Sequence, residues 1–307
     1  MLRGILASLL LVLNTVAGCA PLYLMGAIRP LLKPDAQRNL RQRMDGIIDF
    51  WVANNRRVFQ ALKLTRLELI WDEAPAGLAE DNRELSPERW YLVVSNHQSW
   101  TDIIILQNAL WGRIPPIKFF TKRQLIWVPF LGIAMWLLGF PYVRRMSREQ
   151  IAANPQLAEI DRQATQRACG TFRDHPTTVL NFLEGTRFTT EKHTAQASRF
   201  RHLLNPKIGG LTYVIDGLRD ELHMLLDITI VYQGEVPSFW DMLQGHCPDV
   251  QVLIQRRPLP AALRTQAGPD ETREQIAAWI ETIWTEKDRR LNGLKIQHSP
   301  LRLESAG

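Results

Sequence analysis

Hydrophobic and polar positions along the chain follow three successive patterns. The stretch "GILASLLLVLNTVAGCAPLYLMGAI", residues 4–28, runs for 25 residues without a charge, long enough for a helix to cross a bilayer. Residues 35–62 then place Ile47, Ile48, Trp51, Val52, Val58, Phe59 and Leu62 at helical spacing, with arginines between them. That spacing predicts an amphipathic helix carrying the chain away from the membrane. Beyond it, short apolar runs alternate with helical ones. They predict strands at 67–71, 90–94, 117–120, 140–143, 178–182, 225–231 and 250–254. Between and after them, helices are predicted at 103–110, 130–138, 148–172, 207–218 and 271–291. Ser147 is placed to cap the third of these, its side-chain oxygen serving a free N–H of the first turn.

This alternation predicts an α/β fold, a three-layer sandwich with a mostly parallel or mixed sheet flanked by helices. An N-terminal membrane-embedded helical segment precedes it. The expected organisation is a membrane segment at 1–34, an amphipathic linker helix at 35–64 and the α/β domain at 65–300. Pro141 lies inside a predicted strand, so that strand belongs at an edge or a bulge, where a missing N–H breaks no ladder. No fixed-period repeat or low-complexity tract occurs, which argues against a solenoid.

Three readings of the first segment compete. "VAGC" at 16–19 resembles a bacterial lipoprotein cleavage box, and a buried core helix is the second reading. The apolar block continues past Cys19 to Ile28, too long for a simple signal and too free of polar residues for an ordinary core helix. A retained membrane segment is the reading adopted. Arg29, Lys33, Arg38, Arg41 and Arg43 follow it, whereas only Arg3 and the terminal amine precede it. A spanning segment would therefore leave the rest of the chain in the cytoplasm. Pro21 and Pro30 equally permit a helix that dips into one leaflet and returns.

Composition adds less. With 307 residues and 46% hydrophobic content the chain can bury a sizeable core. A net charge of +6 favours anionic partners, either phosphates or a membrane surface. Cys19, Cys169 and Cys247 show neither metal-ligand spacing nor a disulfide framework, which suits a reducing compartment.

Candidate chemistry sits where predicted strands end, the place at which α/β sheets offer ligands to loops. "SNHQSWTD", residues 95–102, follows the apolar run "WYLVV". With His97 in a turn and Asp102 in the first turn of the next helix, the carboxylate can curl back onto one ring nitrogen. The other nitrogen is then free to take a proton. Taken alone, the stretch fits a structural turn as well as a general base. A second strand end, "TTVLNFLEGTRF" at 177–188, supplies Glu184, Gly185, Thr186 and Arg187. The glycine lets backbone approach a ligand, and the arginine suits a phosphate. A third, "GFPYVRR" at 139–145, also ends in arginine. Together they suit proton abstraction beside an anionic substrate. A metal centre needs three or more ligands, and the other histidines do not supply them. No G-x-S-x-G elbow supports a serine nucleophile.

These blocks resemble those of the glycerolipid acyltransferases, the lysophosphatidic acid acyltransferase family. "NHQSWTD" is similar to its NH-x4-D block, "GFPYVRR" to its glycine–arginine block, which selects Arg145, and "FLEGTR" to its F-P-E-G-T-R block. "KRQLIWVPFLGIAMWLLG" and "LLNPKIGG" resemble its connecting segments, and the likeness spans 91–231. The wording around the third block resembles bacterial inner-membrane members related to the lysocardiolipin acyltransferase branch. Departures are Leu183 where proline is usual, Pro141 at an aliphatic position, and a fourth block, "LLDITIVY", that lacks proline and carries Asp227.

The resemblance implies transfer of a fatty acyl group from acyl-CoA or an acyl-carrier-protein thioester to the free hydroxyl of a lysophospholipid such as 1-acyl-glycerol-3-phosphate. His97 and Asp102 would be catalytic. Arg145, Glu184, Gly185, Thr186 and Arg187 would bind the acceptor and its phosphate, with Lys122 and Lys207 as secondary phosphate contacts. No bound cofactor or metal is implied. The implied partners are membrane lipids and the acyl donor, without nucleic acid, on the cytoplasmic side of a bacterial inner membrane. Alternative acceptors are lysocardiolipin and lysophosphatidylglycerol. A non-catalytic lipid-binding protein is the reading from another class, and the joint presence of His97, Asp102, Glu184 and Arg187 speaks against it.

Overall fold

The computed structural model describes residues 1–72, 84–143, 156–265 and 268–297. Its strands are β1 (Leu67–Trp71), β2 (Trp90–Ser95), β3 (Ile117–Phe119), β4 (Thr121–Lys122), β5 (Tyr142–Val143), β6 (Thr178–Phe182), β7 (Leu222–Tyr232) and β8 (Val250–Arg257). Helices used below are α1 (Leu2–Ile28), α2 (Pro34–Ala61), α3 (Thr101–Leu110), α4 (Leu131–Leu137), α5 (Gln156–Phe172), α6 (Thr190–Ala195), α7 (Gly209–Leu218), α8 (Phe239–Gln244) and α9 (Pro269–Gln297).

Six strands form a mixed sheet in the order β1-β8-β7-β2-β6-β3, parallel at every pairing except β7 with β8. Central β2 is buried from Tyr91 to Ser95, as a parallel strand covered on both faces must be. Alternation then sorts its residues. Tyr91 and Val93 pack with Ile105, Leu106 and Leu110 of α3 on one face. Leu92 and Val94 pack with Phe172, Val214, Ile215 and Trp284 of α5, α7 and α9 on the other. The expected α/β sandwich with flanking helices is what forms.

The expected bounds of four strands are corrected. The run predicted as one strand at 117–120 breaks at Phe120, giving β3 and then β4. β4 pairs with β5 in a separate parallel ribbon, so the strand predicted at 140–143 shrinks to two residues and never joins the main sheet. Gly139, at φ 76°, turns the chain there, and Pro141 offers only its carbonyl, which accepts from Thr121 N at 2.8 Å. The helix predicted at 148–172 is described from Gln156 onward, and Ser147 lies outside the described residues. Strand β8 runs on through Gln255, Arg256 and Arg257, which end its apolar pattern without ending its antiparallel pairing. Strand β7 starts earlier, at Leu222, where it pairs in parallel with β2, and Asp227 and Thr229 sit inside it without breaking it.

Those polar positions have partners. Lys287 of α9 is fully buried, and its ammonium lies 2.6 Å from Asp227 Oδ1, an ion-pair contact off the line of an aligned hydrogen bond. It donates to the Ile228 carbonyl at 2.5 Å and to Thr229 Oγ1 at 3.1 Å. Arg257 adds a second cation, 3.4 Å from Asp227 Oδ2. Burial lowers the lysine's pKa, and Asp227 opposes the shift. The departure at Asp227 is thus one half of a buried ion pair tying α9 to β7.

Helix α2 does not lead away from the first segment but doubles back along it. Asn14 of α1 donates to the Trp51 carbonyl at 2.8 Å and to Asn55 Oδ1 at 2.7 Å, and Trp51 Nε1 donates to Thr15 Oγ1 at 3.1 Å. Both ends of α1 then rest on the α/β body. A Cβ on Gly4 would meet Trp240 and Gln244 of α8, and one on Gly26 would meet Leu137 of α4. The opposite face of α1 is apolar and exposed, with Leu2, Ile5, Leu9, Val12, Leu13, Val16 and Leu24 outward. At the sheet edge, Asp45 of α2 accepts from Lys118 of β3 at 2.9 Å and pairs with His175 at 2.5 Å. Burial alone would raise that carboxyl, but the Lys118 ammonium and the hydrogen bond with His175 hold it below the usual range.

Candidate active site

Strand β2 ends at Ser95, and its sheet register places Ser95 beside Phe182 at the end of β6 and Ile228 of β7. The loop that follows is pinned at once. Asn96 Nδ2 donates to the Ile230 carbonyl at 3.0 Å while Asn96 Oδ1 accepts from Ile230 N at 2.9 Å. A side-chain amide there continues the strand pairing where the backbone has turned away. Asp102, in the first turn of α3 and without solvent exposure, closes the loop from the other end. Its Oδ2 accepts from His97 Nδ1 at 2.9 Å, Gln98 N at 2.6 Å and Ser99 N at 2.9 Å. A carboxylate is acceptor-only, so Nδ1 carries the proton and Nε2 keeps its lone pair. The imidazole stacks on Phe182 with centroids 4.0 Å apart, and 13% of the side chain remains exposed.

The β6 end folds onto the same loop. Glu184 is fully buried; Oε1 accepts from His97 N at 2.8 Å and Oε2 from Leu204 N at 3.0 Å. Burial pushes its carboxyl up to about 7 against the pull of those two donors. Glu184 therefore braces the histidine loop, with both oxygens committed to backbone. Leu183, in place of the usual proline, fills the core beside it. Gly185 has φ 68°, and a Cβ would come within 3.0 Å of Lys207 Cδ, so the turn requires glycine. Phe188 N donates to the His97 carbonyl at 2.7 Å, and the exposed Arg187 guanidinium lies 5.1 Å from the Trp100 ring. The Lys207 side chain therefore lies against Gly185, while its N donates to the Leu183 carbonyl at 2.7 Å. Thr186 accepts from Lys192 Nζ at 3.0 Å, and the same ammonium reaches the Arg187 carbonyl at 2.9 Å.

The structure thus brings together His97, Asp102, Glu184, Gly185, Thr186, Arg187 and Lys207. Lys122 ends β4, in register with Val143, and Arg145 lies outside the described residues. Sequence reasoning passed over three residues. Asn96 opens the NH-x4-D block but has no role assigned there. Lys192 reaches back one turn from α6, whose N-cap Thr189 was the only local signal. Tyr232 closes β7, and its hydroxyl donates to Asp102 Oδ1 at 2.5 Å across 130 residues, which no spacing rule reveals.

An apolar cavity of about 300 Å³ opens between the helical hairpin and the α/β body. Gly18 and Leu22 of α1, Trp51 of α2, Trp100 and Ile103 beside the histidine loop, and Met135 of α4 line it. Trp100 belongs both to this cavity and to the Arg187 contact. A proton acceptor, cations and an apolar cavity side by side suit an amphiphile with an anionic head. Among the described residues no group of three or more His, Cys, Asp or Glu side chains is placed to hold a metal ion.

Comparison with known proteins agrees with that chemistry. The acyltransferase family model matches residues 78–231. Lysocardiolipin acyltransferase 1 of Danio rerio is 24% identical over 305 residues, covering 94% of this chain and 70% of that protein. 1-acyl-sn-glycerol-3-phosphate acyltransferase epsilon of Mus musculus is 25% identical over 314 residues, covering 94% of this chain and 77% of its own length. The chain spans only 52% of the lysocardiolipin acyltransferase 1 of Gallus gallus, at 24% identity over 65% of this chain.

Proposed function

The chain belongs to the acyltransferase family, and from that premise we propose that it moves a fatty acyl group from a thioester donor to the free hydroxyl of a lysophospholipid. The donor is acyl-CoA or acyl-carrier protein. The observation that carries this reading is the buried Asp102 holding His97 Nδ1–H at 2.9 Å, beside an apolar cavity that shares Trp100. His97 Nε2 takes the acceptor's hydroxyl proton as that oxygen attacks the thioester carbonyl carbon. The tetrahedral adduct then expels the thiolate, the C–S bond breaks, and the sulfur takes the proton from the imidazolium. Histidine returns neutral, and an activated thioester makes an acyl-enzyme unnecessary. Asp102 orients the ring and stabilises its cationic form without accepting the proton. Arg187, with Lys207 and Arg145, receives the acceptor's phosphate, and the cavity takes an acyl chain.

The acceptor is a lysophosphatidic acid or a lysocardiolipin, which share a phosphate and a free glycerol hydroxyl. Two relatives aligned over 94% of this chain, one a lysocardiolipin acyltransferase and one a 1-acyl-sn-glycerol-3-phosphate acyltransferase, support the two acceptors equally. Radiolabelled acyl transfer by the purified protein across a panel of lysolipids decides between them. In the same assay, Arg187→Ala is expected to lower kcat/KM for the accepted lysolipid by about 10- to 100-fold, the loss of one charge-assisted contact. An unchanged kcat/KM would remove this arginine from the site.

The protein is further read as lying in one leaflet on the cytoplasmic side of a bacterial inner membrane. Both ends of α1 rest on the same body, and its exposed apolar face continues into Trp127, Phe130, Ile133 and Trp136 around α4, a larger apolar surface than water tolerates. Cysteines placed by Leu2→Cys and Lys33→Cys should both react with a membrane-impermeant maleimide only after cell lysis. Labelling of one of them from outside would mean that α1 spans.

A further inference from the structure

The geometry points to Tyr232 as a positioning residue: its hydroxyl, backed by that of Thr101, extends the His97–Asp102 pair into a buried four-group chain that fixes the Asp102 carboxylate during proton transfer. The inference rests on the reading of His97 as the base.

Proton counting sets the direction of this chain. Asp102 Oδ2 is filled by three donors from its own loop. Oδ1 faces β7 instead, where Tyr232 Oη meets it at 2.5 Å. A carboxylate has no proton to give, so tyrosine donates. Its only proton is then spent, and Thr101 Oγ1, 2.5 Å from Tyr232 Oη, must donate to the phenol oxygen. Thr101 and Asp102 are without exposure, and Tyr232 retains 6%. Donors in such a chain polarise one another. Burial, and then the neighbouring Asp102, raise the phenol's proton affinity, so Tyr232 stays protonated.

The consequence for chemistry follows from what Asp102 has to do. As His97 becomes an imidazolium, the negative charge must remain opposite Nδ1 and the carboxylate plane must not turn, since the ring's aim depends on it. Oδ2 and its loop donors alone leave Oδ1 a bare buried acceptor, which costs free energy and invites rotation. Tyr232 removes both problems. Strand β7 is a suitable holder, because Asn96 and Gln98 of the same loop already bond to Ile230, two residues away. The buried ring means that phenylalanine can occupy the same space, deleting only the oxygen.

Tyr232→Phe is therefore expected to lower kcat by about ten- to a hundredfold, with KM for both substrates little changed. The acid limb of kcat/KM should move to higher pH, because a carboxylate with one donor fewer holds the imidazolium proton more tightly. The other ionisable groups near the chain, Glu184 and Cys247, are untouched by the substitution. Thr101→Val, which removes the donor behind Tyr232, should shift both quantities the same way by less, and carries the test if Tyr232→Phe does not fold. Wild-type kcat and an unmoved acid limb in both variants overturn the inference. So does a loss of kcat with an unmoved limb, which marks a merely structural role. His97→Ala measured alongside separates the two readings. If it stays active, the base assignment falls; if it is inactive while Tyr232→Phe matches wild type, only the role of Tyr232 falls.

Discussion

His97→Ala is expected to lower kcat about 10³-fold while leaving the KM of the acceptor close to wild type. The size follows from what the imidazole does. A glycerol hydroxyl is a weak nucleophile at neutral pH, and a positioned base that removes its proton as the bond forms contributes about 10²–10⁴ in rate. Among the described residues, neither neighbouring carboxylate can take over that role. Asp102 has no exposure, with Oδ2 occupied by three donors and Oδ1 by Tyr232. Glu184 is equally buried, with both oxygens on backbone N–H groups. The fold should survive, because the loop is held through His97 N, its carbonyl and the Asn96 amide rather than through the ring. Steady-state acyl transfer by purified protein, with circular dichroism as the fold control, checks the claim. Full activity in the variant would end the assignment.

How much of this was legible in the sequence depended on distance along the chain. The His97–Asp102 pair spans five residues and a turn, so helix-start chemistry sufficed to suggest it. Gly185 and Arg187 stood out only beside the other strand ends, since a glycine turn with a solvated ion pair is by itself an ordinary surface feature. Glu184 was placed in the right block, but its full burial and its hold on His97 N depend on β2 and β6 pairing in register, which no local pattern encodes. The same limit hid Asn96–Ile230 and Tyr232–Asp102, each separated by more than 100 residues. Among the strands, short runs such as Leu67–Trp71 and Thr178–Phe182 were delimited correctly although Glu68 and Asn181 lie within them. The extension of β8 through Gln255, Arg256 and Arg257 was not, since polar residues with partners across the sheet imitate a strand end. Amphipathicity identified α2 as a helix and could not say which way it would run. The side-chain bonds of Asn14 and Trp51 decide that.

Lys287→Met should be the most destabilising of the substitutions considered, by about 3–5 kcal/mol, seen as a melting temperature lower by about 10 °C. The ammonium is fully buried between α9 and β7, and its counter-charge, Asp227, has no exposure either. Methionine fills the space of the stem but strands the carboxylate, which costs far more than the pair contributes when intact. Arg257, 3.4 Å from the other oxygen, keeps the loss near the lower end of that range. The double variant Lys287→Met/Asp227→Leu should regain about half of the loss or more, because it removes the orphaned charge together with its partner. Thermal unfolding in detergent measures both. A single variant that melts with the wild type would mean that Asp227 can shed its charge at little cost. Below its own melting temperature, Lys287→Met should keep kcat near wild type, because Asn96 and Tyr232 engage β7 beyond Asp227, where antiparallel pairing with β8 holds the strand on its own. Stability and rate therefore separate along a single strand: its middle anchors the C-terminal helix, and its end aims the catalytic loop.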